Sequence, residues 1–182
     1  MTTSRAISLP IQSALDANRH DALGLVLSGA LPLSVFVIVH GMVELAGVMP
    51  LFFAPFGLPG WLGAALHIGS LPLFGIARWM VAQHGPKGRS AGWWLVGLMA
   101  GVIALPFMVQ PLDSLMLSLV TVMLLLTGMA AGLRVAAVSP RAALVMLPGL
   151  AWMGLSAFIG LSLAAGWSPP FSLTNAQGQA AQ

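Results

Sequence analysis

Three ionisable side chains stand within otherwise apolar stretches of the sequence. His40 and Glu44 are one helical turn apart near the end of a long apolar run, and His67 lies inside the next run. An ionisable group in the hydrocarbon of a bilayer costs about 2.5–3.5 kcal/mol on insertion scales, so such residues commonly mark functional sites. Imidazole nitrogens bind haem iron and other metals. The first chemistry to consider is therefore a metal or tetrapyrrole site held by His40 and His67.

The spacing of these residues allows two interpretations. At about 1.5 Å per helical residue, His40 lies about 10 Å from the end of its run and His67 about 13 Å from the start of its own. If the two helices are antiparallel, the histidines share a depth, with Glu44 on the face of His40 and nearer the surface. They would then face the bundle interior near its mouth. Alternatively, each histidine hydrogen-bonds a carbonyl or a neighbouring side chain, and His40 and Glu44 reach water.

The elements that carry these residues belong in a membrane. Of the 182 residues, 58% are hydrophobic and 6% are charged, and the mean hydropathy is +0.95. So few charges cannot cover a soluble domain, which predicts an all-α integral membrane protein. Cysteine is absent, so thiol and disulfide chemistry are excluded. The net charge of +3 does not indicate nucleic-acid binding, because the basic residues lie at helix ends rather than on one face.

Five apolar runs are long enough to cross about 30 Å of hydrocarbon. They are predicted at 22–47, 58–83, 91–111, 113–136 and 142–166. Their short connections predict a five-helix bundle in which sequential helices are antiparallel neighbours. The bundle forms one transmembrane domain, 22–167, between a polar or interfacial N-terminal tail, 1–21, and a polar, flexible C-terminal tail, 168–182.

All the basic residues fall on one side of this five-span arrangement. They are Arg5, Arg19, Arg78, Lys87, Arg89, Arg134 and Arg141. By the positive-inside rule that side is cytoplasmic, which places the N-terminus inside and the C-terminus outside. An even number of spans would break this segregation. The expected location is the bacterial inner membrane, with membrane lipids as partners.

The connection between the first two runs, MPLFFAPFGLPGW, is apolar and aromatic although it must leave the membrane. Phe56 and Trp61, together with Phe52 and Phe53, form either an interfacial aromatic belt or a lid over a cavity between helices. Trp152 lies in the middle of the fifth run, where interfacial anchoring does not explain it. These aromatic residues are candidates for lining a pocket on the outer side.

Two motifs resemble those of the TspO/MBR family, the translocator or tryptophan-rich sensory proteins, which are five-span bundles of similar length. The second helix of that family opens with Pro-x-Trp, which LPGW supplies here as Pro59 and Trp61. Its fifth helix carries Leu/Val-Pro-Tyr-x-x-Trp, of which LPGLAW keeps the leucine, Pro148 and Trp152. The resemblance covers about residues 22 to 166 in the order and spacing of the spans.

The chain departs from the family pattern at several pocket positions. His67 stands where the family has a second tryptophan, and Gly149 replaces the tyrosine of the fifth-helix motif. The third-helix motif, Trp-Ser/Thr-Pro-x-Phe-Phe, retains only Pro106, with Ala104 in place of its tryptophan. Gly160 stands at the position of a late asparagine. At His67, the departure suggests that stacking on a porphyrin is replaced by axial ligation of its metal.

The resemblance implies a non-enzymatic protein that binds a porphyrin, a haem-like tetrapyrrole or another flat apolar ligand, including sterol-type lipids, in a cavity under the first loop. It also implies a homodimer, and Trp152 matches a position implicated in porphyrin handling. The predicted ligand-binding residues are His67, Trp152, Trp61, Phe56, His40, Glu44 and Pro148. His40 and His67 are the predicted axial ligands of a haem, porphyrin or chlorophyll-type metal.

A second hypothesis is a structural or assembly subunit of a larger respiratory or photosynthetic membrane complex. Small residues within the spans and short connections suit burial against other membrane subunits. An enzyme is the weakest interpretation. Glu44 is the one intramembrane carboxylate, and Asp113 lies at the short outer turn between the third and fourth spans. Neither paired carboxylates nor a nucleophile–base arrangement is evident in the sequence.

Overall fold

Five helices make up the described part of the chain in the computed structural model, which describes the backbone of residues 5–167 and the side chains of 22–113 and 115–165. They are α1 (Arg5–Leu45), α2 (Gly60–Ala82), α3 (Gly85–Met108), α4 (Ser114–Val138) and α5 (Pro140–Trp167). Each contains a segment long and apolar enough to cross a membrane, and no strand occurs within 5–167. The predicted all-α class and the five long apolar helices are confirmed.

Two helices begin well before the apolar runs that predict them. α3 begins at Gly85 rather than at 91, with a proline in its first turn, where the missing N–H is harmless. α1 begins at Arg5, so residues 5–21 of the predicted N-terminal tail continue the helix. Hydropathy marks the edge of an apolar run, and a helix can continue past that edge into polar sequence. The predicted C-terminal tail lies outside the described residues.

The helices pack so that α2 is the shared neighbour. It contacts α1, α3 and α5, while α4 closes the remaining side by packing on α3 and α5. Four helices, α2 to α5, therefore surround one core, and α1 lies along the outside of α2 with a smaller contact to α3. Fully buried apolar side chains fill the core, among them Leu71, Phe74, Leu95, Leu98 and Met146.

The two ends of the bundle differ in the connections that they carry. One end, called here the basic end, holds the short links after α2 and α4, together with Arg78, Lys87, Arg89 and Arg141. There Arg134 lies over the Trp94 ring, with its guanidinium carbon 4.0 Å from the ring centroid. The opposite end, called the loop end, holds the 46–59 segment and the 109–113 turn.

Prolines inside the helices leave backbone carbonyls without their usual donors, because proline has no N–H to offer the residue four positions earlier. Pro32 in α1 frees the carbonyl of Ser28 in this way. Gly75 of α2 packs against that carbonyl so closely that an added Cβ would collide with it. The absent side chain at Gly75 thus lets α1 approach α2.

Candidate ligand-binding site

The 46–59 segment returns over the loop end of the bundle and is attached to α3. The amide of Leu51 donates a hydrogen bond to the carbonyl of Pro106, at 2.9 Å. Phe52 meets the His67 ring edge-on, with centroids 5.8 Å apart, and Phe53 packs against Trp152 at 5.7 Å. These two phenylalanines therefore turn inward and connect the segment to α2 and α5.

The other aromatic residues of this region turn outward. Phe56 is 82% exposed and adopts a left-handed backbone conformation with φ of 59°. Trp61, in the first turn of α2, is 70% exposed. The sequence allowed either a lid over a cavity or an interfacial aromatic belt. Phe52 and Phe53 cover the bundle as a lid would, whereas Phe56 and Trp61 are placed as interfacial side chains would be.

Beneath the inward-facing phenylalanines lies a cavity of about 230 Å³ between the 46–59 segment and helices α2 to α5. Most of its wall is apolar. Its lining residues are Leu51, Phe52, Phe53, His67, Leu105, Pro106, Val109, Leu117, Ser118, Thr121, Ser156, Gly160 and Leu163. An apolar wall with a few polar groups is the usual composition of a small-molecule pocket.

Hydroxyl groups from α4 and α5 supply most of the polar part of this wall. The Ser118 hydroxyl donates to the carbonyl of Gly160 at 2.9 Å and so joins the two helices. The Thr121 hydroxyl donates to the carbonyl of Ser118, also at 2.9 Å. Ser156 presents a third hydroxyl. These residues form one polar strip on the side of the cavity away from α1.

His67 is buried, and its ring has a structural partner. Its Nε2 lies 2.8 Å from the carbonyl oxygen of Val102 in α3. A carbonyl only accepts hydrogen bonds, so Nε2 carries the proton and Nδ1 is the remaining acceptor. Pro106 explains why Val102 is available, since the proline lacks the N–H that would otherwise bond to this carbonyl. His67 thus replaces a backbone donor that Pro106 removed.

His40 lies beside the site rather than in it. Its ring stacks on Phe36 with centroids 6.1 Å apart, and its Nε2 lies 3.8 Å from a carboxylate oxygen of Glu44. Its Nδ1 is buried, and the described part of the chain offers that nitrogen no hydrogen-bond partner. The Glu44 side chain is 60% exposed. This pair occupies the outer rim of the loop end.

The two histidines do not converge on a common point. Ring contacts run from His40 to Phe36, from Phe36 to Phe52, and from Phe52 to His67. Within the described residues no group of three or more His, Cys, Asp or Glu side chains could hold a metal ion. Nε2 of His67 already bonds to Val102, so Nδ1 alone is left for a metal, and the ring contacts place Phe36 and Phe52 between the two histidines. The residues present therefore do not fit a tetrapyrrole metal ligated by both histidines.

Of the seven residues predicted to bind ligand, His67 alone lines the cavity. Trp152 is one contact away through Phe53, whereas Pro148 lies on the exposed surface of α5. Sequence reasoning missed the hydroxyl strip. Its signal was present, because Ser118 and Thr121 share one face of α4 at a spacing of three, and Ser156 and Gly160 share one face of α5 at a spacing of four.

No protein-family model, curated protein or solved structure matches the chain. The resemblance to the TspO/MBR family therefore rests on the motifs around Trp61 and Trp152 and on the five spans.

Proposed function

We propose that this chain is a non-enzymatic, TspO-like membrane protein that binds an apolar ligand in the cavity at its loop end. The observation that carries the proposal is the apolar cavity of about 230 Å³ under the 46–59 segment, with its single strip of polar groups. Such a wall removes apolar ligand surface from its surroundings while a few polar atoms fix the ligand's orientation.

Flat apolar molecules, tetrapyrroles included, are the ligands that the family resemblance favours. The cavity is smaller than the roughly 300–1,000 Å³ of common drug-sized pockets. A tetrapyrrole would therefore enter only after the 46–59 segment moved away from α3, which breaks the bond between Leu51 and Pro106. Phe53 and Trp152 would then offer ring faces for stacking. Ligation of its metal by His67 would require Nδ1 or the loss of the bond to Val102.

The proposed setting is a bacterial inner membrane with the basic end in the cytoplasm. Support comes from the gathering of Arg78, Lys87, Arg89 and Arg141 at one end of the described bundle. The cavity then opens in the outer half of the membrane, and membrane lipids surround the helices.

A second candidate function is that of a subunit in a larger respiratory or photosynthetic membrane complex. The low burial of α1 and α4 favours it, because 17% of the most apolar stretch of each helix is buried within the chain, against 44% for α3. A helix attached along one side offers a large surface to another subunit, or to a second copy of this chain in a homodimer.

Filling the cavity tests the leading proposal. In Val109→Trp, a large ring replaces a half-buried side chain of the cavity wall. We expect this variant to lose saturable binding of a naphthalene probe by at least about tenfold, measured by calorimetry in nanodiscs with empty nanodiscs subtracted. Val37→Trp is the matched control, because Val37 is 65% exposed on α1. Binding that survives in Val109→Trp would rule the cavity out.

The absorption spectrum of the protein purified from its native membrane separates the ligand class from the subunit role. A Soret or chlorophyll-type band that follows this chain on a native gel supports a tetrapyrrole. A colourless chain that migrates only within a large complex supports the subunit function.

A further inference from the structure

We propose that the cavity selects a small apolar molecule carrying a hydrogen-bond donor, an O–H or N–H group, which it holds between Thr121 and the open face of Gly160. This inference rests on the proposed function and names the chemical class of its ligand. It follows from the directions of the hydrogen bonds in the polar strip, together with the space beside a glycine.

The direction of the bonds makes the wall an acceptor surface. Thr121 donates its only hydroxyl hydrogen to the carbonyl of Ser118, so its oxygen can only accept a hydrogen bond from any other group. His67 donates its Nε2–H to the carbonyl of Val102, so Nδ1 is an acceptor as well. Ser156 has no hydrogen-bond partner among the described residues, so its hydroxyl can either donate or accept a hydrogen bond. A ligand that donates therefore meets more complementary atoms than one that accepts.

Gly160 opens the space in which such a donor fits. A Cβ built on Gly160 would lie 3.6 Å from the Ser118 oxygen and 3.9 Å from the Thr121 oxygen. The hydroxyl oxygens thus border the position that any larger residue at 160 would occupy. A donor group of the ligand placed there reaches the Thr121 oxygen, while the apolar body lies against Leu105, Val109 and the phenylalanines of the 46–59 segment.

The cavity volume limits the size of the ligand. An engineered apolar cavity of about 150 Å³ holds benzene, with six non-hydrogen atoms. By proportion, about 230 Å³ holds about nine or ten. Bicyclic aromatic molecules such as indole have this size, and they fit the cavity with the 46–59 segment in place.

Three probes of nearly equal shape test the preference. Indole donates a hydrogen bond through N–H, benzofuran replaces that group with a ring oxygen, and quinoline only accepts. Binding is measured by calorimetry in nanodiscs, with partition into empty nanodiscs subtracted. We expect indole to bind about five- to tenfold more tightly than benzofuran or quinoline, the range that one net hydrogen bond supplies.

Two matched pairs of variants locate the donor. Thr121→Val removes the acceptor and should bring the affinity for indole down to that for benzofuran. Thr127→Val is its control, because Thr127 makes the same kind of bond, to Met123 at 2.8 Å, on another face of α4. Gly160→Ala should weaken indole binding, whereas Gly154→Ala adds its methyl group away from the cavity, at ordinary contact distance from Leu125.

The outcomes separate this inference from the proposed function. If none of the probes binds saturably, the proposed function fails and this inference fails with it. If all bind equally, or quinoline binds best, the cavity is a binding site but its preference for a donor is refuted. If indole is preferred and remains so in Thr121→Val, the assignment to Thr121 is overturned.

Discussion

At the level of single residues, the role of His67 depends on Pro106. The proline in α3 leaves the Val102 carbonyl without a backbone donor, and the imidazole on α2 supplies one at 2.8 Å. In a membrane interior there is no water to donate a hydrogen bond to an unpaired carbonyl. The ionisable residue that first suggested metal chemistry therefore has a structural role, which does not require a ligand.

A double-mutant cycle tests this role. His67→Leu should lower the free energy of unfolding by about 1 kcal/mol, because it leaves the Val102 carbonyl unpaired. In a Pro106→Ala background, the loss of unfolding free energy caused by His67→Leu should fall by more than half, because alanine restores the N–H donor for the Val102 carbonyl. Unfolding is followed by circular dichroism during titration with dodecyl sulfate.

Pro148→Ala provides the matched background for this cycle. Pro148 lies in α5 and is not the proline that frees Val102. The cost of His67→Leu should therefore remain unchanged in that background. An equal cost in all three backgrounds would show that His67 contributes through packing alone.

The close approach of α1 to α2 involves a second backbone carbonyl that a proline leaves without its usual donor. Gly75 packs on Ser28 of α1, whose usual donor is missing because of Pro32. A Cα–H group in contact with a carbonyl oxygen is a weak favourable interaction that recurs where helices pack tightly. This contact belongs to the interface through which α1 packs mainly along α2.

Gly75→Ala should separate α1 from α2 and lower the free energy of unfolding by roughly 1–3 kcal/mol, as overpacking does elsewhere. The added methyl group meets backbone, which cannot rotate away as a side chain can. Gly69→Ala, on the same helix, is the control, because nothing lies within 4 Å of a Cβ built there. Equal stabilities of the two variants would contradict this account of the α1–α2 contact.

For the molecule as a whole, the segregated charges give a prediction about orientation. The chain contains no cysteine, so single cysteines can be introduced without background. Met49→Cys lies in the 46–59 segment at a position 62% exposed, and Gln83→Cys lies exposed at the basic end. A membrane-impermeant maleimide should label Met49→Cys in intact cells and Gln83→Cys only after lysis. The reverse pattern would invert the proposed orientation.

Sequence reasoning predicted the five apolar helices but not the hydroxyl strip of the cavity, for a physical reason. Length and apolarity alone determine which segments can cross a membrane, and both can be read along the chain. The cavity wall depends on how α4 and α5 rotate against α2, which no local pattern specifies. His67 was found because charge is rare in a span, whereas Thr121 and Ser156 resemble ordinary back-bonded hydroxyls until their neighbours are known.

The bond between Leu51 and Pro106 has a consequence for hydrogen–deuterium exchange. Within residues 49–57, Leu51 carries the only amide with a hydrogen-bond acceptor in the described chain. Its neighbours should exchange rapidly, while Leu51 exchanges only when the segment leaves α3. Where intrinsic exchange is faster than reclosing, the exchange rate of that one amide equals the rate at which the cavity opens with no ligand present, and this opening rate is the upper limit on how often a large ligand can enter.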